Sequence, residues 1–100
     1  MALRLTYTHN EDLVITNAYI RIKKLILEYN PELASSLGGN KRVGRPHLEV
    51  KFEKNKKFNI DWNDERWVFP IMAGQGDAET QAYNYLKTQP GFELATNDND

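Results

Sequence analysis

Gly74-Gln75-Gly76 stands where a strand-like run gives way to a helix-like one, the setting in which backbone amides cradle a nucleotide phosphate. The third glycine of that pattern is replaced by Glu79, and no Gly-Lys-Ser/Thr follows. Asp77 and Glu79 also place negative charge at the positive end of the helix, which repels phosphate. The stretch therefore reads as a turn with a helix cap. Asp61-Trp62-Asn63-Asp64-Glu65 begins like a calcium loop, but Arg66 occupies the position of the obligatory glycine and Met72 that of the distal glutamate. His9 lies beside Glu11 and Asp12, and His47 follows Pro46; neither has a second histidine or a cysteine nearby to complete a metal site. Ser35 and Ser36 sit in Ser-Ser-Leu-Gly-Gly, which is not a nucleophile elbow. The expectation is a protein without catalytic residues, metal or cofactor.

Charge is the more informative feature. Lys41, Arg42, Arg45, Lys51, Lys54, Lys56 and Lys57 stand against only Glu49 and Glu53 in residues 41–57, a net +5. Residues 58–100 hold Arg66 and Lys87 against eight acids, a net −6, and residues 1–40 balance, so the 100-residue chain totals −1. Lys41, Arg42 and Arg45 fall on a glycine-rich stretch, and Lys54, Lys56 and Lys57 cluster at an expected hairpin tip. These six residues are the candidate partner interface, with the acidic segment of an adjacent copy as counterpart in a head-to-tail ring. Phe52, Phe58, Trp62 and Trp67 lie near the lysines, so a small nucleic-acid-binding module using residues 41–57 is the alternative. Against it, Phe52, Phe58 and Trp62 share the inward parity of core residues, and the pI near 6.1 is far from basic.

The elements that carry these residues follow from periodicity. Leu3, Leu5 and Tyr7 alternate with Arg4, Thr6 and Thr8, a strand rather than a secretory leader. Residues 13–29 fit either a helix face through Ile15, Ala18, Tyr19, Ile22, Ile26 and Tyr29, or a strand whose parity slips at Lys23-Lys24. The density of β-branched residues and tyrosine favours the strand. Asn30-Pro31 ends it, and residues 30–46 read as a long loop with at most one helical turn. Leu48, Val50 and Phe52, then Phe58, Ile60 and Trp62, make a hairpin; Trp67, Phe69 and Ile71 make a further strand limited by Pro70. Asp77 caps a helix over 78–88 with Ala78, Ala82, Tyr85 and Leu86 inward, stopped by Gln89-Pro90-Gly91. Residues 1–95 form one domain and 96–100 a polar acidic tail. With 40% apolar residues the chain can build one core. It has no apolar run near the roughly 18 residues of a membrane span. Without cysteine it has no disulfide.

LRLTYTHNEDLVITNAYIRI, the basic middle ending in GRPHLEVKFE, and ETQAYNYLKTQPGFELA together resemble small structural proteins of tailed bacteriophages. The resemblance covers residues 3–22 and 78–95 and rests on packing and turn patterns. It implies a mainly β or α+β fold, an antiparallel sandwich-like domain of four to six strands with one C-terminal helix. It further implies a non-enzymatic virion subunit of tail, baseplate or head, capsid decoration included. Such a subunit assembles in the host cytoplasm and bridges other virion proteins and copies of itself in a symmetric oligomer, without membrane or nucleic acid.

Overall fold

A computed structural model describes residues 1–98. In chain order it contains β1 (Ala2–Asn10), β2 (Leu13–Tyr29), α1 (Pro31–Ser36), β3 (Arg42–Lys51), β4 (Ile60–Trp62), β5 (Phe69–Pro70), α2 (Ala78–Leu86) and β6 (Thr96–Asp98). The fold is mainly antiparallel β. The six strands of the described residues belong to one sheet in the order β4-β3-β2-β1-β6, with β5 on β3.

β2 is a single strand over its whole length, and its pairing with β3 slips between Ile22 and Lys24, at the Lys23-Lys24 step where its side-chain parity changes. Seventeen residues in a straight strand would span roughly 56 Å, more than the 41 Å longest dimension of the molecule. The β2–β3 ribbon therefore bends. A second irregularity lies between the pairs Leu5–Ala18 and Tyr7–Ile15, where Asn17 takes φ 53°. Asparagine tolerates that left-handed conformation better than other non-glycine residues.

The connection after β2 is shorter than the 30–46 loop expected. Pro31–Ser36 is helical, with the Asn30 carboxamide accepting the Leu33 N–H, and β3 already begins at Arg42. Glycine and proline conceal that strand in the sequence, and each has a structural reason to be there. Gly44 lies opposite Phe69 of β5, and a Cβ on it would come 2.5 Å from the ring. Pro46 lies opposite Leu25, at a position whose missing N–H costs no β2–β3 bond. The parity is fixed by the Asn30 N–H, which bonds to the Lys41 carbonyl: even-numbered residues of this half of β2 bond to β3, and odd-numbered ones point away.

One core unites the near half of the sheet with α2. Leu3, Leu5, Ala18, Ile20, Leu48, Val50, Trp67, Tyr83, Leu86 and Phe92 are buried together. Trp62 joins them, stacked on Phe92 at 5.0 Å and packed edge-on against Trp67. Such aromatic pairs contribute about 0.5–1.5 kcal/mol each beyond area burial. α2 ends at Leu86, two residues before the end expected, with Asp77 Oδ1 accepting the Thr80 N–H at 2.7 Å. Ala82 and Leu86 are fully buried and Tyr85 half-buried. Tyr83, absent from the expected stripe, is also buried, and its hydroxyl accepts the Ile22 N–H at 2.9 Å beside the bulge. After α2 the chain returns to the sheet. Thr96–Asp98 of the expected tail is β6, paired with Ala2–Arg4 and tied by the 2.8 Å Arg4–Asp98 ion pair. Asn99 and Asp100 of that tail lie outside the described residues.

Candidate interaction surfaces

β3 divides the basic segment. Its ten residues from Arg42 to Lys51 span about 30 Å, so Lys41 and Arg42 stand at one end and Lys54, Lys56 and Lys57 beyond the other. Five of the six candidate residues thus fall on two surfaces, and Arg45 lies within the strand between them.

At the first end, the Arg42 carbonyl accepts the Ile71 N–H and the Lys41 carbonyl the Asn30 N–H, which fixes the backbone of both residues. Leu27, Lys41, Arg42 and Met72 line an open groove of about 450 Å³. Leu27, Tyr29 and Met72 are exposed there, Tyr29 to 71%. Arg45, 31% exposed, is paired with Glu28 at 3.3 Å. The Asn30 amide and Arg45 both bond to the Glu28 carboxylate and hold its pKa below the ordinary value.

At the second end, the Lys56 N–H bonds to the Glu53 carbonyl in a turn between β3 and β4. Phe52 and Phe58, expected inside, are 45% and 56% exposed, with ring centroids 6.0 Å apart. The β3–β4 register pairs Leu48 with Trp62 and Val50 with Ile60, so its continuation sets Phe52 against Phe58. Their parity is the inward one, but no other element among the described residues covers that end of the sheet. Lys56 and Lys57 carry no ion pair among the described residues. Lys51 turns back to Glu49, a nearly buried carboxylate also held by Arg21 at 2.9 Å.

The acidic segment is less available to a neighbouring copy than its net charge implies. Asp61 pairs with Lys23 at 3.0 Å, Asp98 with Arg4, and Asp64 with Arg66 at 2.6 Å. Arg66 donates to Asp64 through both side chain and backbone N–H, which lowers the Asp64 pKa to about 2. That local turn occupies the place of the would-be calcium loop. In the glycine turn, the Gln81 side chain bonds to the Gly76 carbonyl and to both backbone groups of Met72. His9 Nδ1 lies 3.2 Å from the Tyr7 hydroxyl, and the Ser36 hydroxyl donates to the Leu33 carbonyl. The described residues contain no group of three or more metal-ligating side chains.

These features define a small single-sheet β domain with an apolar, basic surface at each end of its third strand. No protein-family model matches the chain, and neither curated proteins nor solved structures yielded a match to it.

Proposed function

We propose that the protein is a non-enzymatic structural subunit of a bacteriophage virion, a tail, baseplate or head-associated component that bridges larger proteins. The observation that carries this reading is the pair of surfaces separated by β3. Each combines exposed apolar side chains with cations that have no ion pair among the described residues: Leu27, Tyr29 and Met72 with Lys41 and Arg42, and Phe52 and Phe58 with Lys56 and Lys57. A bridging subunit needs two separate contacts. Desolvated aromatic anchors supply affinity, and rim charges set association rate and salt sensitivity. In this reading the bent sheet serves as a sandwich-like body and α2 as its helical brace. The resemblance of residues 3–22 and 78–95 to small phage structural proteins supports the same class.

The test is occupancy in purified particles, measured by quantitative mass spectrometry. Lys41→Glu/Arg42→Glu and Lys54→Glu/Lys56→Glu/Lys57→Glu should each fold normally yet reduce incorporation. Wild-type occupancy for both variants would overturn the reading.

The exposure of Phe52 and Phe58 among lysines favours one alternative, a module that stacks single-stranded nucleic acid on those rings. It requires binding to single-stranded DNA that falls steeply with salt and is lost in Phe52→Ala/Phe58→Ala. Absence of binding at low salt eliminates it.

A further inference from the structure

The far half of β2 has a partner on one side only. β3 pairs with it from Lys24 to Tyr29, whereas β1 pairs with β2 only as far as Ile20. At the junction, the Tyr83 hydroxyl takes up the Ile22 N–H. Beyond it, no strand among the described residues lies against the outer edge of Lys23–Tyr29. By the parity set at Asn30, the N–H and C=O groups of Leu25, Leu27 and Tyr29 point outward along this edge. Leu25 and Ile26 are half-buried, Leu27 is 49% exposed and Tyr29 71%. Unpaired apolar edges of this kind are templates for another strand. The Lys23-Lys24 bulge blunts only the start of this one.

We propose that the edge pairs with the same edge of a second copy of this chain, antiparallel and two-fold symmetric about Ile26. The sequence Lys24-Leu25-Ile26-Leu27-Glu28 is complementary to itself when reversed. A two-fold axis at Ile26 sets Leu25 against Leu27 of the second copy, so outward-pointing backbone groups meet and exchange both hydrogen bonds. The same axis sets Lys24 against Glu28 twice and Ile26 against Ile26. Every side chain meets a complementary one. An axis at Leu25 would instead put Lys24 against Ile26, and one at Leu27 would put Ile26 against Glu28. Lys24 has no ion pair among the described residues, and the Glu28 carboxylate, 38% exposed beside Arg45, keeps room for a second cation. Opposed charges and β-branched or apolar pairs directly across antiparallel strands are the stabilising unit of a sheet. The result is an isologous dimer with a continuous sheet, which shares Leu27 with the first basic surface and leaves the second one free.

Charge swapping tests this directly, read by analytical ultracentrifugation over a wide concentration range. Wild type should show a reversible monomer–dimer equilibrium. Lys24→Glu sets like charges opposite each other twice and should weaken dimerisation about tenfold, from two unfavourable cross-strand pairs. Glu28→Lys should do the same. An equimolar mixture of the two variants should form a heterodimer, since both glutamates of one variant then face both lysines of the other. Circular dichroism confirms that each variant is folded. In wild type, hydrogen exchange of the Leu25, Leu27 and Tyr29 amides should slow as concentration rises. A wild type that stays monomeric, a dimer indifferent to Lys24→Glu, or a mixture that fails to associate would each overturn the proposal.

Discussion

Gly44→Ala tests whether β5 is held against β3 by a fitted ring. In an ordinary strand position the substitution should help, because alanine loses less backbone entropy on folding, a gain of about 0.5–1 kcal/mol. Here the new methyl would lie 2.5 Å from Phe69 Cζ, 2.6 Å from Cε1 and 3.3 Å from Cε2, so it meets the ring along an edge. The ring is only 3% exposed and stacks on Tyr85 at 5.5 Å, so it has nowhere to retreat without disturbing α2. Overpacking of this kind costs about 1–3 kcal/mol and outweighs the entropic gain. For a domain of this size the melting temperature should fall by roughly 5–20 °C. Thermal denaturation followed by tryptophan fluorescence measures it, since Trp67 lies in the core and Trp62 packs against it. Phe69→Leu in the Gly44→Ala background removes the clashing atoms, so the double variant should be less destabilised than the sum of the singles. Neighbours that share a contact couple by about 0.5–3 kcal/mol. A Gly44→Ala protein at least as stable as wild type, with an additive cycle, would refute the fitted-ring argument.

Tyr83→Phe should cost about 1–3 kcal/mol in urea denaturation, because it leaves the Ile22 N–H unpaired beside the bulge while keeping the ring. Acid should destabilise the fold as Asp64, Asp77, Glu28 and Glu93 take up protons. All four have lowered pKa values, Asp64 at about 2 through Arg66 and Asp77 through the Thr80 N–H. A carboxylate with a lowered native pKa contributes stability above its unfolded value, and loses it as pH falls through the native one. The urea midpoint should therefore be flat near neutrality and decline from about pH 4.5 towards pH 2, with Asp64→Asn removing part of the lowest step.

Where an element buries apolar residues at its own period, the residues announce it. β1 shows its alternation, and the slip in β2 is visible because Lys23-Lys24 interrupts a run of alternating apolar residues. The helix reading of residues 13–29 fails on physical grounds, since β3 pairs along nearly the whole far half of this segment and β1 along the near half. The start of β3 is invisible because Gly44 is required by the Phe69 ring opposite it and Pro46 is tolerated where no β2–β3 bond is lost. β6 is invisible for another reason: Thr96-Asn97-Asp98 carries no apolar signal, and backbone bonds to β1 with the Arg4–Asp98 pair hold it. Tyr83 and Gln81 escape the helical stripe because their value lies in hydrogen bonds to Ile22 and Met72, which are set by tertiary position.

The candidate site is legible in its residue types but not in its grouping. A run with net +5 is one feature in sequence and two in space, because an extended strand carries its ends apart at about 3.3 Å per residue. Phe52 and Phe58 do have the parity that the alternation assigns them, since they continue the register of Val50 and Ile60. Parity assigns a side chain to a face of the sheet, and only another element can bury that face. α2 covers the sheet around Leu48 and Val50 and stops short of the tip. The same rule governs the far half of β2, where Leu27 and Tyr29 have strand-like spacing and no covering element among the described residues. Apolar side chains on an uncovered face, and amides on an unpaired edge, are surfaces that another molecule can complete. Such surfaces lie at both ends of β3 and along the outer edge of β2, the places where the proposed subunit would meet its neighbours.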